Sequence, residues 1–280
     1  MNEKNPEIGN DIDTCGYATN YHDIGSGDAV LLLHGSGAGV SGWVNWRGVA
    51  PDLSQKWRLI IPDMVGFGYT KTPEDFNFIF MDSWRLQALD LLDKLGIERA
   101  HIIGNSFGGA VALQLALHHP SRVGRIVLMG SGGWPCKVEH ELSALWGYKP
   151  SKENMRKAMS YMAYNQSLIT EELVEMRYKA TLRVGAQEIF ERVFPEPLQP
   201  WLDAQALTIA ELETIQNHTL LIHGRDDRVV DPKVSWNLHQ HLINSELHTI
   251  SRCGHWTMIE HRERFIKLVT NFLEEENSPT

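Results

Sequence analysis

Five short apolar runs separated by amphipathic stretches constrain this chain more than any other feature of it. They are Ala29 to Leu33, Leu59 to Ile61, His101 to Ile103, Ile126 to Met129 and Leu220 to Ile222. Each has the length of a strand buried on both faces, and most end in Gly, Pro or Asp, where a chain turns into its next element. Helical patterns lie between them. Leu86, Leu89, Leu92 and Leu95 recur within Ser83 to Leu95, and Ala110 to His118 is rich in Ala and Leu. With Tyr17 to Ile24 as an earlier strand, the order after residue 25 reads β-α-β-α-β-α-β. Parallel strands need such crossovers, so the pattern predicts an α/β fold, a mostly parallel sheet with helices on both faces.

The rhythm breaks after Gly130. From Trp134 to about Asp203 helix formers and Met dominate, as in Met155 to Ala163 and Glu171 to Leu182, and the stretch ends in the cluster Pro195, Pro197 and Pro200. Alternation resumes at Thr219. The expected organisation is a core over residues 1–133 and 208–280, with a helical cap inserted at 134–207. A chain of 280 residues is long enough for that single large unit.

Charge narrows the partners. Against 35 acidic residues stand 26 basic ones, a formal net charge of −9, which disfavours nucleic acid because phosphate binding needs a basic face. An anionic substrate would meet a repulsive global field and would need a local arginine to capture it. Cys15, Cys136 and Cys253 form no CxxC pair, so neither a zinc site nor a disulfide framework is expected. The opening MNEKNPEIGNDID is polar and acidic, and no stretch approaches the roughly 20 apolar residues of a membrane span. These features together predict a cytoplasmic protein with no membrane association.

The sharpest motif is Gly104-Asn105-Ser106-Phe107-Gly108-Gly109, placed between the strand His101 to Ile103 and a helix expected to begin near Gly108. A GxSxG string recurs by chance, but strand, tight turn and helix in that order make an elbow. The turn needs glycine two residues either side of the serine, because a side chain there would strike the neighbouring strand or helix. It lifts Ser106 to the carboxyl edge of the sheet, above a helix amino terminus that favours developing negative charge.

A serine nucleophile needs a base, and the base needs an orienting acid, in the chain order Ser, acid, His. After the strand Thr219 to Ile222 comes His223-Gly224-Arg225-Asp226-Asp227, with Asp227 the candidate acid and Asp226 read as a solvated or turn-stabilising carboxylate. The strand Leu247 to Ile250 leads to Cys253-Gly254-His255-Trp256, where His255 in a loop is the candidate base. His34 and His223, at strand ends before glycine, read as structural hydrogen-bonding groups, and Cys253 as a buried thiol. An oxyanion requires two preorganised donors. One is expected from the backbone N–H of Phe107. The other is expected from Ser36 in His34-Gly35-Ser36-Gly37-Ala38-Gly39, a run that lacks both a P-loop lysine and GxGxxG spacing.

With these pieces in place the chain resembles the α/β-hydrolase superfamily over nearly its whole length. More narrowly, it resembles the meta-cleavage product hydrolases, which hydrolyse carbon–carbon bonds in aromatic-ring degradation. The narrower resemblance is carried by the His34 to Gly39 run continuing to Gly42-Trp43-Val44-Asn45, by Pro62 to Gly68, and by the elbow. Ser167 to Leu173 with Arg177, and Cys253-Gly254-His255-Trp256, complete it.

The resemblance implies a helical cap over the core, no metal and no organic cofactor, and a small anionic dienoate as substrate. It implies water added across a C–C bond of a 2-hydroxy-6-oxohexa-2,4-dienoate, with Ser106, His255 and Asp227 as triad. It also implies Asn45, Asn105, Arg177 and Trp256 at the polar end of the pocket, and a homo-oligomer, dimer or larger. Two other readings share the triad: a carboxylesterase or lactonase, and a slow-turnover ligand receptor. Dehalogenases and epoxide hydrolases of this fold use an aspartate nucleophile, and position 106 is serine.

Overall fold

The structure is a computed structural model that describes residues 5–73 and 76–275. Eight strands form one sheet: β1 (Asn10–Thr14), β2 (Tyr17–Ile24), β3 (Ala29–Leu33), β4 (Arg58–Pro62), β5 (Ala100–Asn105), β6 (Val123–Met129), β7 (Thr219–Gly224) and β8 (Ser245–Ile250). Their order is β1-β2-β4-β3-β5-β6-β7-β8. The pairs β1–β2 and β2–β4 are antiparallel, and all the others are parallel. The five apolar runs fall on β3 to β7, and helices cover both sheet faces.

Period-two alternation splits the core between those faces. Leu31 and Leu33 of β3 join Ile60 and Ile102 in a cluster that also holds the helix Phe107–His118 and much of the inserted helical stretch. Val30 and Leu32 point the other way, with Leu59, Ile61, Val127, Leu220 and Phe265 of the last helix, Arg262–Glu274. These four of the five β3 side chains are fully buried, which is why that run reads as continuously apolar.

The short strand β1, Asn-Asp-Ile-Asp-Thr, lay outside the sequence expectation. It sits at the sheet's edge with three of its five residues exposed, so it carries no apolar period to read.

Between β6 and β7 the chain runs through six short α-helices: His140–Trp146, Lys152–Met162, Glu171–Thr181, Ala186–Val193, Gln199–Asp203 and Ile209–Leu212. The flanking strands are direct neighbours, Met129 pairing with Ile222. The sheet is therefore continuous across the insertion. No helix among the described residues is long and apolar enough to cross a membrane.

Candidate active site

Strand β5 ends at Asn105, and the helix Phe107–His118 begins one residue after Ser106. Ser106 bridges them at φ 54° and ψ −116°, a left-handed backbone that only a sharp turn imposes on a serine. Its N–H donates to the carbonyl of Met129 at 2.8 Å, pinning the turn to β6. The flanking glycines are obligatory. A Cβ on Gly104 would stand 2.6 Å from the Gly108 carbonyl oxygen, and one on Gly108 would stand 2.4 Å from the Leu33 carbonyl oxygen.

Asp227 lies in the loop after β7. Its Oδ2 accepts from His255 Nδ1 at 2.7 Å, and its Oδ1 accepts from the amides of Val229 at 2.8 Å and Val230 at 3.0 Å. Burial alone would raise the Asp227 carboxyl. The facing His255 and His223, through charge and hydrogen bonds, instead hold it well below the usual carboxylate range. With Nδ1–H committed to Asp227, the lone pair of His255 sits on Nε2. Asp226 does different work, accepting the Arg252 amide at 2.8 Å and so fixing the loop that carries His255. Cys253 is buried, and desolvation pushes its thiol up to about 12, so it is not a nucleophile.

Ser106 and His255 open onto one cavity of about 380 Å³, lined as well by Ser36, Asn45, Asn105, Arg177 and Trp256. Asn105 Nδ2 donates to Asn45 Oδ1 at 2.9 Å, so the two amides form one unit. Asn45 Nδ2 and Asn105 Oδ1 are buried with no protein partner, which leaves a donor and an acceptor for a ligand. Asn45 lies inside the helix Gly42–Trp46, whose N-cap is Ser41.

Arg177, on the helix Glu171–Thr181, reaches the Gly39 carbonyl at 3.5 Å. Desolvation lowers it to about 10 against the opposing pull of Glu7, so it keeps its charge at neutral pH. Ser36 Oγ accepts from Trp146 Nε1 at 2.8 Å, tying the glycine-rich loop to an inserted helix. Phe107 follows Ser106 directly and is not among the cavity-lining residues; its buried ring has its centroid 4.4 Å from that of Trp84 and 5.8 Å from that of Phe194. Its N–H is the first of a helix, one of those that an α-helix leaves without an internal partner.

The structure brings Ser36, Asn45, Asn105, Ser106, Arg177, His255 and Trp256 to one cavity. Asp227 stands behind His255, and Phe107 adjoins Ser106 in the chain. His34 does the structural work expected of it: Nδ1 donates to Gly35 O at 2.8 Å and Nε2 accepts from Met64 N at 3.0 Å, while burial lowers it to about 4, so it stays neutral. What sequence reasoning missed is the cavity's apolar end, made by Leu142, Leu145, Met155, Met159 and Met162, with Arg47 at the wall as well. The three methionines recur at i, i+4 and i+7, a helical face legible in the sequence but indistinguishable there from ordinary core. The contacts of His223, described below, were missed too.

An elbow, a loop histidine and a buried acid at the carboxyl ends of β5, β8 and β7 define the α/β-hydrolase class. Residues 28–161 and 150–262 match the family model described as alpha/beta hydrolase fold. Over 277 residues the chain is 47% identical to the 2-hydroxy-6-oxo-2,4-heptadienoate hydrolase of Pseudomonas putida, covering 99% of this chain and 100% of the relative. Over 273 residues it is 44% identical to a 2-hydroxymuconate semialdehyde hydrolase of a Pseudomonas species, covering 98% and 96%. A solved meta-cleavage product hydrolase from Pseudomonas fluorescens, a serine-to-alanine variant complexed with acetates, superposes with a TM-score of 0.96 at 48% identity, covering 98% of this chain and 100% of that one. The chain belongs to the meta-cleavage product hydrolases of the α/β-hydrolase fold.

Proposed function

We propose that this enzyme adds water across a C–C bond of 2-hydroxy-6-oxohexa-2,4-dienoate-type ring-cleavage products, giving a 2-hydroxypentadienoate and a carboxylic acid. One observation carries the reading: a single cavity holds Ser106 and His255 together with a charged Arg177 and the paired amides of Asn45 and Asn105. A plain esterase pocket has no need of a desolvated cation. An acidic substrate facing a −9 protein does.

Arg177 pairs with the substrate carboxylate and enol oxygen, while Asn45 Nδ2 donates to and Asn105 Oδ1 accepts from the same end; Trp256 completes the wall. Ketonisation of the dienol makes the leaving carbon a stabilised carbanion equivalent. Asp227 orients His255, whose Nε2 takes the Ser106 proton as Ser106 acts on the remote ketone. The amides of Ser36 and Phe107 hold the oxyanion. His255 then delivers its proton to the departing carbon as the C–C bond breaks, and water, deprotonated by His255 and added at the former ketone carbon, leaves that carbon as the carboxylic acid with Ser106 restored.

The names of the similar enzymes, a heptadienoate and a semialdehyde hydrolase, support methyl or hydrogen as the ketone substituent. Three free cysteines support a reducing, cytoplasmic setting. Exposed Trp236, on the helix Lys233–His241, and exposed Ile243 support a homo-oligomer.

The test follows the yellow dienolate absorbance with ring-cleavage products bearing hydrogen, methyl, isopropyl or phenyl, beside p-nitrophenyl acetate. Fast bleaching with hydrogen or methyl and slow ester cleavage is the expected result. Turnover of the ester alone would replace this reading with an esterase.

A further inference from the structure

We propose that His223 is a positioning residue for the reaction, a second histidine that sets the orientation of the Asp227 carboxylate and, through it, the ring of His255. The proposal rests on the triad assigned above. Asp227 Oδ2 is shared: it lies 2.7 Å from His255 Nδ1 and 3.1 Å from His223 Nε2. His223 Nε2 also lies 3.0 Å from the carbonyl oxygen of Val230. A carboxylate and a carbonyl both accept, so Nε2 carries the proton and donates to the two of them.

The other ring nitrogen, Nδ1, stands 2.6 Å from Ser235 Oγ on the helix Lys233–His241. In the neutral imidazole that nitrogen holds the lone pair, and the serine hydroxyl donates to it. A chain of donors results: Ser235 sets the tautomer of His223, His223 sets Asp227, and Asp227 sets His255. His223 and Ser235 have no solvent-exposed surface.

Satisfaction of a buried polar group does not account for the arrangement. Asp227 already has three donors without His223: two amides on Oδ1 and His255 on Oδ2. What the fourth adds is direction. Both amides grip one oxygen, and His223 shares the other with His255, so the two side-chain donors together fix how the carboxylate is rotated toward the base. The bond to the Val230 carbonyl ties the same loop back to His223 at the end of β7. The sequence His223 to Asp227, four residues apart across a glycine turn, builds this locally.

Three variants test it. In His223→Gln the amide nitrogen falls near the Nε2 position; in His223→Asn it falls near Nδ1; His223→Leu has no donor. Turnover of dienoate and of p-nitrophenyl acetate is measured for each, together with the downfield proton resonance of the His255–Asp227 hydrogen bond. Expected are kcat within about threefold of wild type for Gln and a loss of about tenfold or more for Asn and Leu, with KM unchanged on both substrates. The downfield resonance moves in Asn and Leu and returns in Gln.

Equal kcat for Gln and Asn, or a wild-type resonance in Leu, overturns the proposal. Should Leu fail to fold, the Gln and Asn pair decides. Wild-type turnover of the ester alone would defeat the dienoate reading and leave the His223 comparison standing on the ester. A wild type inactive on both substrates would sink the triad, and the positioning role with it.

Discussion

At the polar end of the cavity, Ser36, Asn105, Ser106 and His255 each sit within a few residues of a strand's carboxyl end, whereas Leu142, Leu145, Met155 and Met159 at the apolar end come from helices inserted between β6 and β7. The first group is cross-braced by short bonds: Ser106 to β6, Asn105 to Asn45, His255 to Asp227. The second group packs by shape alone, and its methionines are unbranched and adapt to what they meet. On the proposed function, chemistry that tolerates little displacement is built on the sheet, and the part that would meet the ketone substituent is built on something softer. Arg177 crosses this division, coming from an inserted helix yet reaching the Gly39 carbonyl.

The comparison can be broken at its strongest point first. Ser106→Ala should lose about three to six orders of magnitude in kcat on a dienoate while still binding it, read by single-turnover absorbance. Near-normal turnover would mean the sheet-borne end is not the reactive one.

Arg177→Ala should cost roughly 30-fold to 1,000-fold in kcat/KM on a dienoate, as expected when one partner of a buried charge pair is removed, and less than about threefold on a neutral aryl ester. Equal losses would move Arg177 into the structural group.

Met155→Ala with Met159→Ala should reverse the preference between small and bulky ketone substituents by roughly tenfold to 200-fold and leave kcat on the best substrate within a few-fold. An unchanged ranking would place the substituent elsewhere.

The smallest effect belongs to Arg47, which is exposed at the cavity wall beside Met176. Arg47→Gln should lower kcat/KM for the anionic substrate by about twofold to fivefold at low salt, with no loss at high salt, because a rim charge steers encounter. A loss independent of ionic strength would make it a packing residue.

The same division governs what the sequence disclosed. Buried strands leave unbroken apolar runs, and the elbow leaves glycines at fixed offsets, so β3 to β7 and Ser106 could be placed from neighbouring residues alone. The hydrogen-bonded pair of His255 and Asp227 was expected because the chain order of a triad limits where an acid and its base can fall. The edge strand β1 was not, since half its groups face solvent. The bond from Trp146 to Ser36 spans 110 positions and the pairing of Asn45 with Asn105 spans 60, and nothing local to either partner announces such contacts. The methionine face was visible as periodicity, but whether a helical stripe meets core or cavity is decided by what lies opposite it. His223 read as a structural hydrogen-bonding group, and its neighbour in space, Asp227, is what gives that bond a further meaning.

The backbone of Ser106 makes a last point about the economy of the whole fold. Holding a non-glycine residue at φ 54° costs on the order of 1–3 kcal/mol, a sizeable fraction of the 5–15 kcal/mol that keeps a typical domain folded. That cost is offset by the pairing of β5 with β3 and β6 on either side. A glycine at 106 would adopt the same dihedrals without that cost. With Ser106 in its proposed role, reactivity and thermal endurance are set against each other at a single pair of dihedral angles.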